Sequence, residues 1–264
     1  MKKKVLVFFV LLVLLSTAFP VTALADMGPK PSVTINFEGM AGQAYYVTLL
    51  SNVDSTGPYS SLSFLKQGNP NIDDKEWYSG SEEDYPIYLK FLGYQDTDGY
   101  YFLQFFQNCS ETNQFSWTYY PPSNFKILIY FANLDSFAVS AGTYERYAFD
   151  SYFNVNLTDT NIISLAAQGE TPSFDATKSY DYSGETISLI ARIVLTIAVE
   201  LLIALFFAFR KKKQLLFILV ANLITQIALN VSLNLINIHY GPWAYISLYI
   251  LFELFVFIIE AIYM

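Results

Sequence analysis

The sequence predicts an α+β protein in two parts: an exported β-sandwich-like domain carrying a short helix, and a C-terminal transmembrane part of three α-helices. Three observations carry this reading. Before Glu185 the 264-residue chain is polar and aromatic, and after it mostly aliphatic. In the first part apolar residues recur at every second position in short runs broken by Gly, Pro, Asn and Asp, the pattern of half-buried strands joined by turns. In the last part apolar runs of about 20 residues follow one another, the length a helix needs to cross the ~30 Å hydrocarbon core of a bilayer.

At the N-terminus, Met1-Lys2-Lys3-Lys4 precedes an apolar run from Val5 to Leu15 and then Ala23-Leu24-Ala25, which has the small-x-small form of a signal-peptidase site. Residues 1–25 therefore read as a signal peptide cleaved after Ala25. The apolar run is too short for a span, and no Cys follows it to take a lipid. The exported domain is expected over residues 26–167. Residues 168–186, rich in Ser, Thr, Gly, Asp and Pro, read as a linker.

Within the exported domain, Met27 to Pro31 holds two prolines and a glycine and predicts an extended arm. Val33, Ile35 and Phe37 alternate with Thr34, Asn36 and Glu38. Gly39 to Gly42 turns the chain and Tyr45 to Leu50 returns it, which together predict a hairpin. The polar stretch from Ser51 to Gly80 predicts a loop with a short helical turn around Asp73 to Trp77. Ser81 to Asp84 has the S-x-x-D form of a helix start; Tyr85, Tyr88, Leu89 and Leu92 follow at helical spacing, and Gly93 suits the stop. Asp98-Gly99 is a hairpin-turn pair leading into the aromatic run Tyr100 to Phe106. Further strands are expected at Phe115 to Tyr119, Phe125 to Phe131, Tyr144 to Phe149 and Tyr152 to Leu157, at the short spacing of a sandwich.

The membrane part is expected over residues 187–264, with spans at about 187–209, 214–238 and 243–264. Charge orients it. Arg210-Lys211-Lys212-Lys213 lies between the first two spans and by the positive-inside rule is cytoplasmic, which places His239 to Pro242 in an outer turn. The localisation that follows is the plasma membrane, multi-pass, with the N-terminal domain extracellular. From Asp26 to Glu185, 7 Lys and Arg stand against 20 Asp and Glu, a net of −13 where the whole chain carries −8. That charge disfavours nucleic acid and anionic lipid as partners of the exported domain. The lone Cys109 allows no internal disulfide, which favours a bacterial envelope over a eukaryotic secreted protein.

Through Asp26-Met27-Gly28-Pro29-Lys30-Pro31-Ser32-Val33, Asp96-Thr97-Asp98-Gly99-Tyr100, Asn222-Leu223-Ile224-Thr225-Gln226 and Glu253 with Glu260-Ala261, the chain resembles a family of Gram-positive bacterial membrane proteins. The resemblance spans most of the chain and implies the same order of signal peptide, exported β domain and C-terminal multi-helix part. It carries no activity and no catalytic residue. Relatives of this kind continue past the Glu-Ala pair into another helix.

The candidate site is an intramembrane polar cluster of Glu200, Asn222, Thr225, Gln226, Asn230, Glu253 and Glu260. A bilayer core disfavours such groups, so they are kept for pairing or for function. Arg192, Thr196 and Glu200 share one face of the first span, as do Asn222, Gln226, Asn230, Asn234 and Asn237 on the second and Glu253 and Glu260 on the third. At 1.5 Å per residue, Glu200, Gln226 and Glu253 all come out about 15 to 18 Å from the inner boundary, where they could meet. One reading makes them interhelical hydrogen bonds with protonated glutamates; the other makes them a proton or cation site. Arg192 is expected to snorkel toward the outer surface.

Catalytic constellations are disfavoured by shortage. His239 is the sole histidine, so no triad or zinc site with several His can be built, and no Gly-rich phosphate loop opens a helix. The start of a calcium loop at Asp96-Thr97-Asp98-Gly99 ends on Gln107 where a bidentate acid belongs, so a turn is the better reading. No cofactor and no metal are expected. The chain reads as a non-enzymatic envelope protein whose exported domain binds, senses or scaffolds, with a membrane protein or a second copy as partner. The alternative is a proton- or ion-coupled transport component.

Overall fold

The computed structural model describes residues 29–68, 75, 78, 80–158, 160–180, 182–206 and 211–263, the side chains of Glu185, Glu200, Ile203, Glu253 and residues 256–263 excepted. The expected signal peptide, Arg210 and, apart from Lys75, the helical turn at Asp73 to Trp77 lie outside the described residues. Mixed α+β content is present as expected, with two helices long and apolar enough to cross a membrane.

Strand β1 (Ser32–Glu38) buries Val33, Ile35 and Phe37 and leaves the residues between them half-exposed, the alternation of a strand with one face on the core. Strand β2 (Tyr45–Ser51) follows, but the two do not form the expected hairpin. β1 belongs to one sheet and β2 to another, and their apolar faces meet across a shared core. Gly39 makes the crossing possible. Its φ of +81° is glycine territory, and a Cβ there would lie 2.4 Å from the backbone N of Thr158. Periodicity identified both strands; it carries no information on which strand each one pairs with.

A short β3 (Ser55–Thr56) and β4 (Tyr59–Ser60) ribbon and helix α1 (Leu62–Gly68) occupy the expected loop. Helix α2 (Tyr85–Gly93) starts one turn later than its S-x-x-D signal, because Ser81 Oγ accepts the Asp84 N–H at 3.2 Å in a turn that precedes the helix. The aromatic run beyond it supplies only β5 (Tyr101–Phe102), since Gln104 takes φ +62° and breaks the strand. The chain continues through β6 (Gln107–Asn108), β7 (Gln114–Trp117), β8 (Asn124–Phe131), β9 (Ser136–Ser140), β10 (Tyr144–Glu145) and β11 (Asp150–Asn156). Helix α3 (Ile162–Ala166), β12 (Ser173–Phe174) and β13 (Thr177–Lys178) complete this part.

One sheet has the order β13-β11-β1-β7, with parallel pairing of β1 with β11 at its centre from Ser32↔Asp150 to Glu38↔Asn156. The other runs β12-β9-β8-β2-β5, with β10 also on β8 and β6 on β2. Between them lies a core that includes Ile35, Trp117 and Phe153 from the first sheet and Val47, Ile127 and Ile129 from the second. The second sheet is covered on its other face too, where Leu50, Leu128 and Tyr130 meet Tyr88 and Phe91 of α2. This explains why β8 is buried without a break from Phe125 to Phe131: a strand covered on both sides has no solvent face to alternate toward.

Two expectations need correction. The stretch read as a linker carries β12 and β13, one pairing with β9 and the other with β11, so both sheets extend into it. Of the strand expected over Tyr144 to Phe149, only the first two residues pair. Phe149, at the end of that expected strand, instead reaches the helical part, where its N–H donates to the Ile238 carbonyl at 2.7 Å.

Three helices follow: α4 (Tyr182–Phe206), α5 (Lys212–Tyr240) and α6 (Pro242–Tyr263). α4 and α5, at 25 and 29 residues, satisfy the length and composition of a membrane span. α5 is the middle helix, packed against both α4 and α6. The chain reverses between α5 and α6 at Gly241, whose N–H caps the Asn237 carbonyl at 2.9 Å. Pro242 then opens α6, where its missing N–H costs nothing.

Candidate functional site

The polar residues of α5 face inward. Asn222, Gln226 and Asn230 are 1%, 4% and 5% exposed, on the same stripe as the buried Ile218, Leu229 and Leu233. A buried amide in an apolar layer must find its partners nearby. Here it finds them on its own helix. Asn222 Nδ2 donates to the Ile218 carbonyl at 3.0 Å, and Asn230 Nδ2 donates to the Gln226 carbonyl at 2.8 Å and to Gln226 Oε1 at 3.3 Å. Thr225 Oγ1 likewise bonds back to the Ala221 carbonyl at 3.1 Å. The expected interhelical ties are therefore not what these donors make; each described bond runs within α5. Asn222 Oδ1 is buried with no hydrogen-bond partner.

Of the seven expected residues, the structure groups Asn222, Gln226 and Asn230 on the buried face and leaves Thr225 half-buried beside it. Glu200 lies in α4 and Glu253 and Glu260 in α6, but their side chains are outside the described residues, and so is the expected meeting of Glu200, Gln226 and Glu253.

Nearer the reversal at Gly241 the three helices form a cleft of 390 Å³ lined by Leu189, Arg192, Asn230, Val231, Asn234, Leu235, Asn237 and Tyr245. Arg192 is its one cation. Its Nε donates to the Ser188 carbonyl at 3.2 Å and its Nη1 to the Tyr245 hydroxyl. The helical spacing of Arg192 and of the asparagines was legible in the sequence. Tyr245 was missed, because nothing local marks a tyrosine whose partner is 53 residues earlier.

In the β-rich part the Asp96-Thr97-Asp98-Gly99 segment encloses a side chain, Lys126. Its Nζ lies 3.1 Å from Asp96 Oδ2 and bonds Asp98 as well, beside the Tyr100 ring. Burial pulls the ammonium pKa down, but hydrogen bonds and charge from Asp98 and Asp96 outweigh it and hold Lys126 above the ordinary lysine value. Asp96 also accepts the N–H groups of Asp98 and Tyr100, so the turn is built around this carboxylate and no strand hairpin forms. Cys109 is fully buried, and burial pushes its thiol up to about 12, far from nucleophilic range. Among the described residues no group of three or more His, Cys, Asp or Glu could hold a metal ion.

Comparison of the chain with protein-family models, with curated proteins and with solved structures finds no match in any of the three.

Proposed function

We propose that the chain is a multi-pass protein of a bacterial cell envelope, in which an acidic sandwich-like β domain stands outside the plasma membrane and works as a non-enzymatic binding or scaffold module. The supporting observation is that the β domain and the basic turn lie at opposite ends of the helices. Lys211 to Lys213 sit where α4 gives way to α5, whereas Phe149 bonds Ile238 at the other end of α5. With the basic end cytoplasmic, the domain is outside. α6 then makes a third crossing, and a signal peptide cleaved after Ala25 starts the export.

The binding or scaffold reading draws on how the ionisable groups are used. Asp96 and Asp98 hold Lys126, Asp135 holds Lys90, and the Cys109 thiol is sealed in the core. The seat on Ile238 and Gly241 fixes the domain against the helices, so an event at one can bias the other. A second membrane protein or a second copy of the chain is the expected partner.

Cysteine labelling tests the topology. A membrane-impermeant thiol reagent added to intact cells should modify Tyr240→Cys and miss Lys212→Cys, and the reverse pattern overturns the reading. The transport alternative through Glu200, Gln226 and Glu253 predicts proton-dependent flux in vesicles holding this chain alone.

A further inference from the structure

We infer that the cleft between α4, α5 and α6 is a binding site for the phosphate of an outer-leaflet phospholipid, with Arg192 as the ligating cation and Tyr245 and Asn234 completing the polar wall. This rests on the membrane reading above. Among the described residues no carboxylate lies within ion-pair distance of Arg192. A guanidinium in a membrane span is costly, and an anion at its remaining N–H groups lowers that cost. Two of its N–H donors are taken by Ser188 and Tyr245, and a planar fork with donors to spare suits two oxygens of one phosphate.

Depth favours a lipid. α5, with 29 residues, is about 43 Å long, which matches a bilayer including its headgroup layers. Arg192 turns back to the carbonyl of Ser188, six residues or about 9 Å from the start of α4. Tyr245 is about one turn, roughly 6 Å, from the reversal at Gly241. The guanidinium therefore sits near the boundary between headgroups and hydrocarbon, the level of lipid phosphate. Val231 and Leu235 on the rim are 48% and 55% exposed and offer an apolar track for an acyl chain, while Asn234 adds an amide to the cleft wall. A volume of 390 Å³ takes a phosphate with its glycerol and leaves the chains outside. The acidic domain above disfavours net-anionic lipids, so the zwitterionic phosphatidylethanolamine, with its ammonium turned up toward that domain, is the natural probe.

The full chain purified in detergent, stripped of lipid and titrated with phosphatidylethanolamine, should retain one lipid per chain by native mass spectrometry. Arg192→Gln should weaken retention at least tenfold, and Tyr245→Phe and Asn234→Leu, which leave the cation in place, a few-fold each. Retention by Arg192→Gln equal to that of the unmodified chain overturns the site, as does equal retention of an uncharged diacylglycerol glycoside. Inorganic phosphate at millimolar concentration should leave the lipid bound; displacement assigns the cleft to soluble phosphate and overturns the lipid. Release of the chain from native membranes by alkaline carbonate would instead overturn the membrane reading, an outcome distinct from an integrated protein that ignores the lipid.

Discussion

The backbone N–H of Phe149 donates to the carbonyl of Ile238 at 2.7 Å, and the ring of Phe149 covers Gly241, where a Cβ would lie 2.7 Å from it. Helix ends leave carbonyls without helical partners, and the β-rich part supplies one of the missing donors. A loop between β10 and β11 thereby holds the whole domain to the end of α5.

Gly241→Ala should loosen this seat. Gly241 combines φ +81° with ψ −179°, a region close to glycine-only, so alanine costs about 1–3 kcal/mol in backbone strain before the clash with Phe149 is counted. Chymotrypsin should then cut faster at Tyr147 or Phe149, with the unfolding of the β core unchanged. Equal cleavage rates would show that the seat does not protect this loop.

Lys126→Met should destabilise the β-rich part by about 3–5 kcal/mol, since it leaves the Asp96 carboxylate buried and unpaired. Adding Asp96→Asn should recover part of the loss, because the uncompensated charge is then gone. Urea unfolding of the two variants measures both steps. Calcium should not raise the unfolding midpoint of the unmodified protein, whose Asp96 and Asp98 already hold a cation.

Asn222→Leu should leave the helical part as stable as before, or raise its stability by up to ~1 kcal/mol. Its donor bonds only its own helix and its buried Oδ1 has no partner, so leucine removes an unsatisfied group. Thermal unfolding in detergent reads this. A marked loss of stability would mean that Asn222 Oδ1 is met by a partner or ligand in the bilayer.

Alkaline stability should depend on Cys109. Its thiol pKa rises from an ordinary 9.0 to about 12 in the fold, so the stability it confers is complete below pH 9 and is lost as pH rises toward 12, while the unfolded thiol ionises first. Cys109→Ala should flatten the decline in stability between about pH 9 and 11, measured by urea unfolding. Tyr45, raised by burial and by the neighbouring Cys109, leaves a residual slope of the same sign.

Much of the fold was legible locally. The period-2 run Val33 to Phe37 records which side of its strand meets the core, and burial imposes that record residue by residue. The helical stripe was placed less well: of Tyr85, Tyr88, Leu89 and Leu92, Tyr88 is buried and Leu89 is exposed, while Phe91 takes the buried place beside Tyr88. The short strands β9, β12 and β13 escaped. β12 and β13 pair through two residues each at the sheet margins and leave no period to read, and the core-facing positions of β9 are the small Ser136, Ala138 and Ser140, which give no hydrophobic alternation.

The candidate site divides the same way. The asparagine stripe of α5 could be placed on one face by counting, because helix geometry is fixed at 3.6 residues per turn. That its amides would bond within the helix was not legible: a side-chain rotamer chooses between its own carbonyls and a neighbouring helix, and packing makes that choice.

By itself the sequence determined the two-part composition, the apolar lengths of α4 and α5, the basic turn between them and the faces of the regular elements, all properties of residues near one another in the chain. The tertiary structure alone decided that β1 and β2 part into different sheets, that Asp96 encloses Lys126, that Arg192 finds Tyr245 and that Phe149 leaves the core for Ile238. The physical reason is common to all four. Each is a meeting of groups from separate elements, and hydrophobic periodicity, which reports only whether a side chain is buried, does not say against what.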